Sequence, residues 1–299
     1  MLTKETIAEW LQGLQDRICQ QLEAADGGGH FQEDRWERPG GGGGRTRVLN
    51  GNRIEKGGVN FSAVYGELSE KAVRALGLGD PGPFFATGVS IVLHPHNPHV
   101  PIIHMNVRYF EMDQQRWWFG GGIDLTPHYI VPQDAQAFHQ RLKNVCDDAH
   151  ADYYPKFKAW ADDYFYLKHR QETRGVGGIF YDRLGPTAEL SKDALWQFTQ
   201  NVGDSFCDCY IPLLKKYSDW PYTEKESSWQ KLRRGRYVEF NLVWDRGTKF
   251  GLETNGRTES ILMSLPPLAA WEYDHQVEVG SAEAFTLEHL KKGIDWHIQ

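Results

Sequence analysis

The run Ile102-Ile103-His104-Met105-Asn106-Val107-Arg108-Tyr109-Phe110 alternates apolar and polar residues with a period of two. Successive side chains of a β-strand leave opposite faces of a sheet. The run therefore predicts a strand with Ile103, Met105, Val107 and Tyr109 on one face and His104, Asn106 and Arg108 on the other. Before it, Gly88-Val89-Ser90-Ile91-Val92-Leu93-His94 reads the same way, with Ser90 and His94 aligned across Val92; after it comes the strand-like Trp117-Trp118-Phe119. Proline- and glycine-marked turns separate the three, and strands joined by short turns pair antiparallel. Ile7, Trp10, Leu11, Leu14, Ile18 and Leu22 recur at helical spacing and predict a helix over 4–24, with further helices over 133–148, 153–172 and 191–217. A β-hairpin is expected from Arg236 to Trp244, turning at Asp245-Arg246-Gly247 and returning over Lys249 to Glu253. The expected fold is α+β, of the α/β sandwich type. It has a large antiparallel β-sheet flanked by helices on both faces and forms one domain over 1–299 without repeats or a long linker.

The chain has 299 residues, enough to bury a substantial core. Its hydrophobic share of 40% and aromatic share of 13% exclude a disordered protein. No apolar run approaches the ~18 residues that cross a bilayer, so no membrane span is expected. The first residues read as an amphipathic helix of the fold, not as a signal or transit segment, which makes the cytoplasm the expected location. A formal charge of −7 argues against nucleic acid as a partner while leaving room for a locally positive pocket. Cys19, Cys146, Cys207 and Cys209 form neither a disulfide framework nor a C-x-x-C pair, which predicts buried, reduced thiols. They also lack the spacing that an iron–sulfur cluster requires.

The His104, Asn106, Arg108 face puts a proton carrier, a neutral hydrogen bonder and a fixed cation on one surface. A lone histidine is usually structural, but three adjacent polar side chains opposite an apolar face point to a site. His94, His96, His99 and His104 invite a metal reading, yet Pro95, Pro98 and Pro101 break the segment into turns. His139 and His169, expected on later helices, would complete such a cluster only through the fold. Gly120-Gly121-Gly122 after Trp117-Trp118-Phe119 admits either a large flat ligand or an unusual turn. Asp124 either bonds its own loop or, beside a cationic or N–H-bearing ligand, serves as acceptor or base. Gly40–Gly44 lacks a Gly-Lys-Ser/Thr ending and a preceding strand, so a flexible or closely packed turn is preferred to a phosphate loop. Arg233 and Arg234 read as solvated cations, whereas Arg257 after Gly256, at the expected end of a strand, is better placed to grip a carboxylate.

Several segments together resemble the oxygen-dependent coproporphyrinogen III oxidases. They are Gly41 to Arg45, Gly58 to Ser62, Gly88 to Pro95, WWFGGGIDLTP from Trp117 to Pro127, and YFYLKHRQETRGVGGIFYD from Tyr164 to Asp182. RGRYVEFNLVW from Arg234 to Trp244 and RTESILMSLPP from Arg257 to Pro267 complete the set, so the resemblance runs from the first helix to about Tyr273. Two departures are Ala161, where the family commonly has Cys, and Phe180-Tyr181, where it commonly has two Phe.

The resemblance implies oxidative decarboxylation of two propionates of coproporphyrinogen III to vinyl groups, giving protoporphyrinogen IX in haem biosynthesis. Molecular oxygen is the co-substrate, carbon dioxide and hydrogen peroxide leave, and no cofactor is required. His104 matches the proposed proton donor and Asp124 an essential acid. Ser90, Asn106-Val107-Arg108 and Asn255-Gly256-Arg257 match substrate contacts. His94, His104, His139 and His169 match histidines that some bacterial members are described as using for a divalent metal. A homodimer is implied, with residues 234–269 in its interface. The radical route to the same product needs a cysteine-bound cluster whose spacing is missing here. Two rivals stand beside this reading: a non-catalytic tetrapyrrole-binding protein and a histidine metallohydrolase.

Overall fold

The computed structural model describes residues 2–68, 70, 73–74, 77–186, 188–253 and 256–296. Helix α1 (Lys4–Asp26) opens on a capping box between Thr3 and Thr6 and ends on Gly27, whose φ of 80° suits a residue without Cβ. Six strands follow: β1 (Gln32–Glu37), β2 (Gly42–Leu49), β3 (Ile54–Glu67), β4 (Pro83–Pro95), β5 (Ile102–Glu111) and β6 (Trp117–Thr126). Helices α2 (Pro132–Asp147) and α3 (Tyr153–Tyr164) lead to the short hairpin β7 (Tyr166–Leu167) and β8 (Glu172–Thr173), then to β9 (Gly177–Leu184). Helices α4 (Lys192–Tyr217) and α5 (Glu224–Glu239) come next, and a π-turn, Phe240–Trp244, continues α5. Three short helices, α6 (Arg246–Glu253), α7 (Thr258–Leu262) and α8 (Ala282–His289), close the described chain.

Among the described residues the strands form a seven-stranded sheet in the order β1-β2-β3-β4-β5-β6-β9, antiparallel at every pairing. This is the expected α+β class. The apolar side of β5 (Ile103, Met105, Val107 and Tyr109) is buried in the main core, where it meets α4 and to which α1 and α2 also contribute. Other segments cover the opposite face: Tyr237 of α5 packs on Val92 and Ile102, and Met263 sits over Gly58. All four cysteines are free and buried, as expected.

The expected hairpin over 236–253 is instead the end of α5, the π-turn and α6. Thr223 and Glu226 form a capping box that starts α5, and Gln230, Arg233, Arg234 and Tyr237 bury one helical face. The β-branched and aromatic residues that suggested strands are overridden by that cap and by packing. The helix expected over 153–172 stops at Tyr164, so His169 lies at the β7–β8 turn, on no helix. The glycine run is a turn that enters β2: the tight fit of Gly43 and Gly44 against Trp36 leaves no room for a Cβ.

Candidate active site

Register places the site. Across β4 and β5, Ser90 faces Asn106 and Val92 faces His104; across β5 and β6, His104 faces Asp124, Asn106 faces Gly122 and Arg108 faces Gly120. Cross-strand partners share a face, so Ser90, His94, His104, Asn106, Arg108 and Asp124 line one surface. Val107 belongs to the other face: its side chain is fully buried in the core. Of the run 106–108, then, only Asn106 and Arg108 present side chains to this polar face.

His104 Nδ1 lies 2.8 Å from Asp124 Oδ1. The carboxylate is also gripped by Arg174, through Nε to Oδ2 at 3.1 Å and Nη2 to Oδ1 at 2.7 Å. Burial alone would raise the Asp124 pKa, but the Arg174 charge and the bonds from His104 and Arg174 overcome it and hold the group below the usual carboxylate range. An ionised carboxylate only accepts, so His104 Nδ1 carries a hydrogen and Nε2 is the nitrogen left for the cleft. His104 keeps 21% side-chain exposure while Asp124 keeps 1%. Of the two alternatives the sequence left open for Asp124, a bond within its own loop is not seen among the described residues, and its burial leaves little of the carboxylate to meet a ligand N–H directly. Asp124 reaches the open face only through its bond to His104.

Arg174 was not singled out by sequence reasoning. Its guanidinium stands over the rings of Phe165, Tyr237 and Phe240 at 4.3, 4.7 and 4.7 Å, and Nη1 donates to Asn241 Oδ1 at 3.1 Å. The charge is buried, yet it is paired, hydrogen-bonded and faced by aromatic rings. Its signal in the sequence was one arginine before Gly175, which no spacing rule distinguishes from a surface cation.

Arg108 has glycine as both cross-strand neighbours, Gly88 and Gly120. A Cβ at Gly120 would meet Arg108 Nε at 2.9 Å, so the absent side chain is what lets the arginine lie across β6. There Nη2 donates to Asp182 Oδ1 at 2.9 Å and Nη1 to Asn106 Oδ1 at 2.8 Å. Asp182 is a second residue that sequence reasoning missed. With 36% side-chain exposure, the guanidinium remains open to an incoming carboxylate.

The other expected residues are dispersed. His94 is fully buried: Nε2 donates to Ser264 O at 2.9 Å, and burial keeps the ring neutral. His139, on α2, contacts Tyr154 Oη and Val176 O at 3.1 and 2.9 Å. His169 pairs with Glu239 and accepts from Trp244 Nε1. The four histidines thus have four separate sets of partners, and among the described residues no three His, Cys, Asp or Glu are grouped to hold a metal ion. Asn255 lies outside the described residues. Gly256 and Arg257 follow α6 rather than a strand, and the Arg257 guanidinium bonds Asp34 on β1 and Ser260. Four strand spacings separate β1 from β5, so this anchor stands roughly 19 Å across the sheet from the strand of Arg108. Arg233 and Arg234 are buried ion-pair partners of Glu172 and Glu55, not solvated cations.

A polar, arginine-bearing sheet face with a carboxylate-held histidine is thus assembled from β4, β5 and β6. The family model described as coproporphyrinogen III oxidase matches residues 6–296. The chain belongs to the coproporphyrinogen III oxidase family. It is 51% identical over 308 aligned residues to the oxygen-dependent coproporphyrinogen-III oxidase of Parasynechococcus marenigrum (strain WH8102), covering 95% of this chain and 85% of that protein. It is 50% identical over 297 residues to the chloroplastic oxygen-dependent coproporphyrinogen-III oxidase of Glycine max, covering 94% and 76%. The two departures from the coproporphyrinogen oxidase pattern leave the polar pairs intact. Ala161 packs in the aromatic cluster beside Phe165, and Tyr181 faces the core.

Proposed function

We propose that the cleft catalyses the oxygen-dependent oxidative decarboxylation of two propionates of coproporphyrinogen III to vinyl groups, yielding protoporphyrinogen IX for haem biosynthesis. Family membership supports the reaction, and the His104–Asp124–Arg174 chain beside Arg108 carries the assignment of roles. For each propionate, loss of carbon dioxide and one β-hydrogen releases two electrons and one proton. Reducing dioxygen to hydrogen peroxide takes two electrons and two protons. One further proton per vinyl group must therefore come from the enzyme or solvent, and His104 Nε2 is the titratable atom set at the cleft to pass it. Arg108 anchors a substrate carboxylate by exchanging part of its hold on Asp182, with Ser90 and Asn106 as neighbouring hydrogen bonders. Arg257 serves carboxylates at the far end of a ring that carries four of them, and Gly256 and Asn255, which precede it in the sequence, are proposed as substrate contacts with it.

Dioxygen is the co-substrate, and no resident cofactor is needed in this scheme. A divalent metal on His94, His104, His139 and His169 finds little support in four histidines that are bonded elsewhere. Residues 1–299 act as one domain and assemble as a homodimer through 234–269. Among the described residues no helix is long and apolar enough to cross a membrane, and the cytoplasm is the proposed site of action.

The deciding assay is oxygen uptake and carbon dioxide release by purified protein given coproporphyrinogen III, with and without prior chelation. Uptake with vinyl product in both arms is the expected result. Tight porphyrin binding without uptake would mean a carrier, and activity lost on chelation and restored by metal would overturn the metal-free scheme.

A further inference from the structure

Helix α5 runs into the π-turn without a break: Asp245 N–H donates to Phe240 O at 2.9 Å, a five-residue step. Such turns are rare and concentrate at functional sites. Here the turn exposes Leu242 and Val243 while Asn241 stays 4% exposed against Arg174. A guanidinium only donates, so the contact from Arg174 Nη1 fixes Oδ1 of Asn241 on that side and leaves Nδ2 to donate to Ser264 Oγ at 3.2 Å. Ser264 Oγ donates onward to Ile261 O, and its carbonyl holds His94. Donor direction is thus set along the whole chain from Asp124 to the segment 257–265.

That segment lies on the polar face of the sheet. Ser260 holds Thr46 and Asn60, the Leu265 carbonyl accepts from Lys56, and Met263 fills the space over Gly58. Its attachment to the catalytic side of the cleft runs through Ser264 and Asn241. We propose that Asn241 is a positioning residue that ties the seating of the 257–265 segment to the alignment of the His104–Asp124 pair, acting through Arg174. The proposal rests on the functional reading given above.

Asn241→Asp tests it with almost no change of shape. The new carboxylate cannot donate to Ser264, and it competes with Asp124 for Arg174. The charged and titratable groups around Arg174 and Tyr237 here are Asp124 from the sheet and Asp245 after the π-turn, with His104 one step further, on Asp124. Adding a buried negative charge among them favours protonated forms, so the limb of the kcat–pH profile moves to higher pH. We expect kcat to fall about 10- to 100-fold, as for other groups that orient a reacting residue, with KM for coproporphyrinogen within about threefold. Ser264→Ala lowers kcat by less, and adding it to Asn241→Ala costs nothing further because both cut one chain. If Asn241→Ala does not fold, Asn241→Asp and Ser264→Ala carry the test. Wild-type kcat with an unmoved pH profile in these variants overturns the proposal, and so does a loss of kcat that only tracks Tm. An inactive wild type overturns the functional reading and this one with it; an active wild type with unaffected variants overturns this one alone.

Discussion

His104 and Asp124 face each other across β5 and β6, yet only the histidine reaches the cleft. Their roles should therefore separate in experiment. His104→Gln keeps a hydrogen bonder of similar size but removes the proton carrier, so kcat should fall roughly 10²- to 10⁴-fold with KM changed only severalfold, as steady-state kinetics will show. Asp124→Asn leaves the Arg174 charge buried without its anion. Breaking a buried pair in this way costs about 3–5 kcal/mol, so urea unfolding should show a clear loss of stability on top of the loss of activity. A variant as stable as wild type would mean that Arg174 finds another anion. Residue types and the period-two face were legible in the sequence. That Asp124 is the hidden partner depended on Arg174, which comes fifty positions later and packs on three aromatic rings.

At the scale of elements, α5 and the π-turn are held to the β7–β8 hairpin by Glu239. Its carboxylate accepts from Arg170 at 2.7 and 2.9 Å, from Arg236 at 3.1 Å, from Trp271 Nε1 at 2.9 Å, and pairs with His169 at 2.7 Å. Burial opposes ionisation, but the bonds from Arg170, His169 and Trp271 bring the pKa down to about 2 from an ordinary 4.5. A carboxylate with a depressed folded pKa adds stability above its unfolded value and loses it as pH falls through the folded one. The stability gap between wild type and Glu239→Gln should therefore be full above pH 4.5 and shrink toward pH 2. Denaturant midpoints measured across that window will show it, and a gap independent of pH would contradict the assignment. The same region is where a hairpin was expected. Tyr237, Val238, Phe240 and Val243 have strand-like propensity, whereas the Thr223–Glu226 box and the buried Gln230, Arg233, Arg234 and Tyr237 face decide for helix.

For the whole molecule, the span 234–269 both packs on the polar face of the sheet and turns apolar side chains outward. Leu242, Val243 and Leu268 are 44, 45 and 57% exposed, and these are the apolar side chains that the proposed homodimer interface over 234–269 would cover. A homodimer formed there should dissociate when Val243→Asp and Leu268→Asp are combined, with the mass from sedimentation equilibrium halved and the fold retained by circular dichroism. A dimer that survives the double change would move the interface elsewhere. Because the same span supplies Asn241 and Ser264, the monomeric variant should also lose activity at high substrate.

What the sequence determined by itself was local: the period-two strands, the helices over α1, α2 and α4, the buried thiols, and which histidine, asparagine and arginine share a face. Each follows from periodicity and residue chemistry within about ten positions. Tertiary structure alone decided the rest. It brought Arg174 beneath Asp124 and Asp182 beside Arg108. It drew His139 and His169 away from His104, and it laid 257–265 over the sheet. Those outcomes depend on which distant groups can satisfy a buried charge or an open face, and spacing along a chain does not encode that.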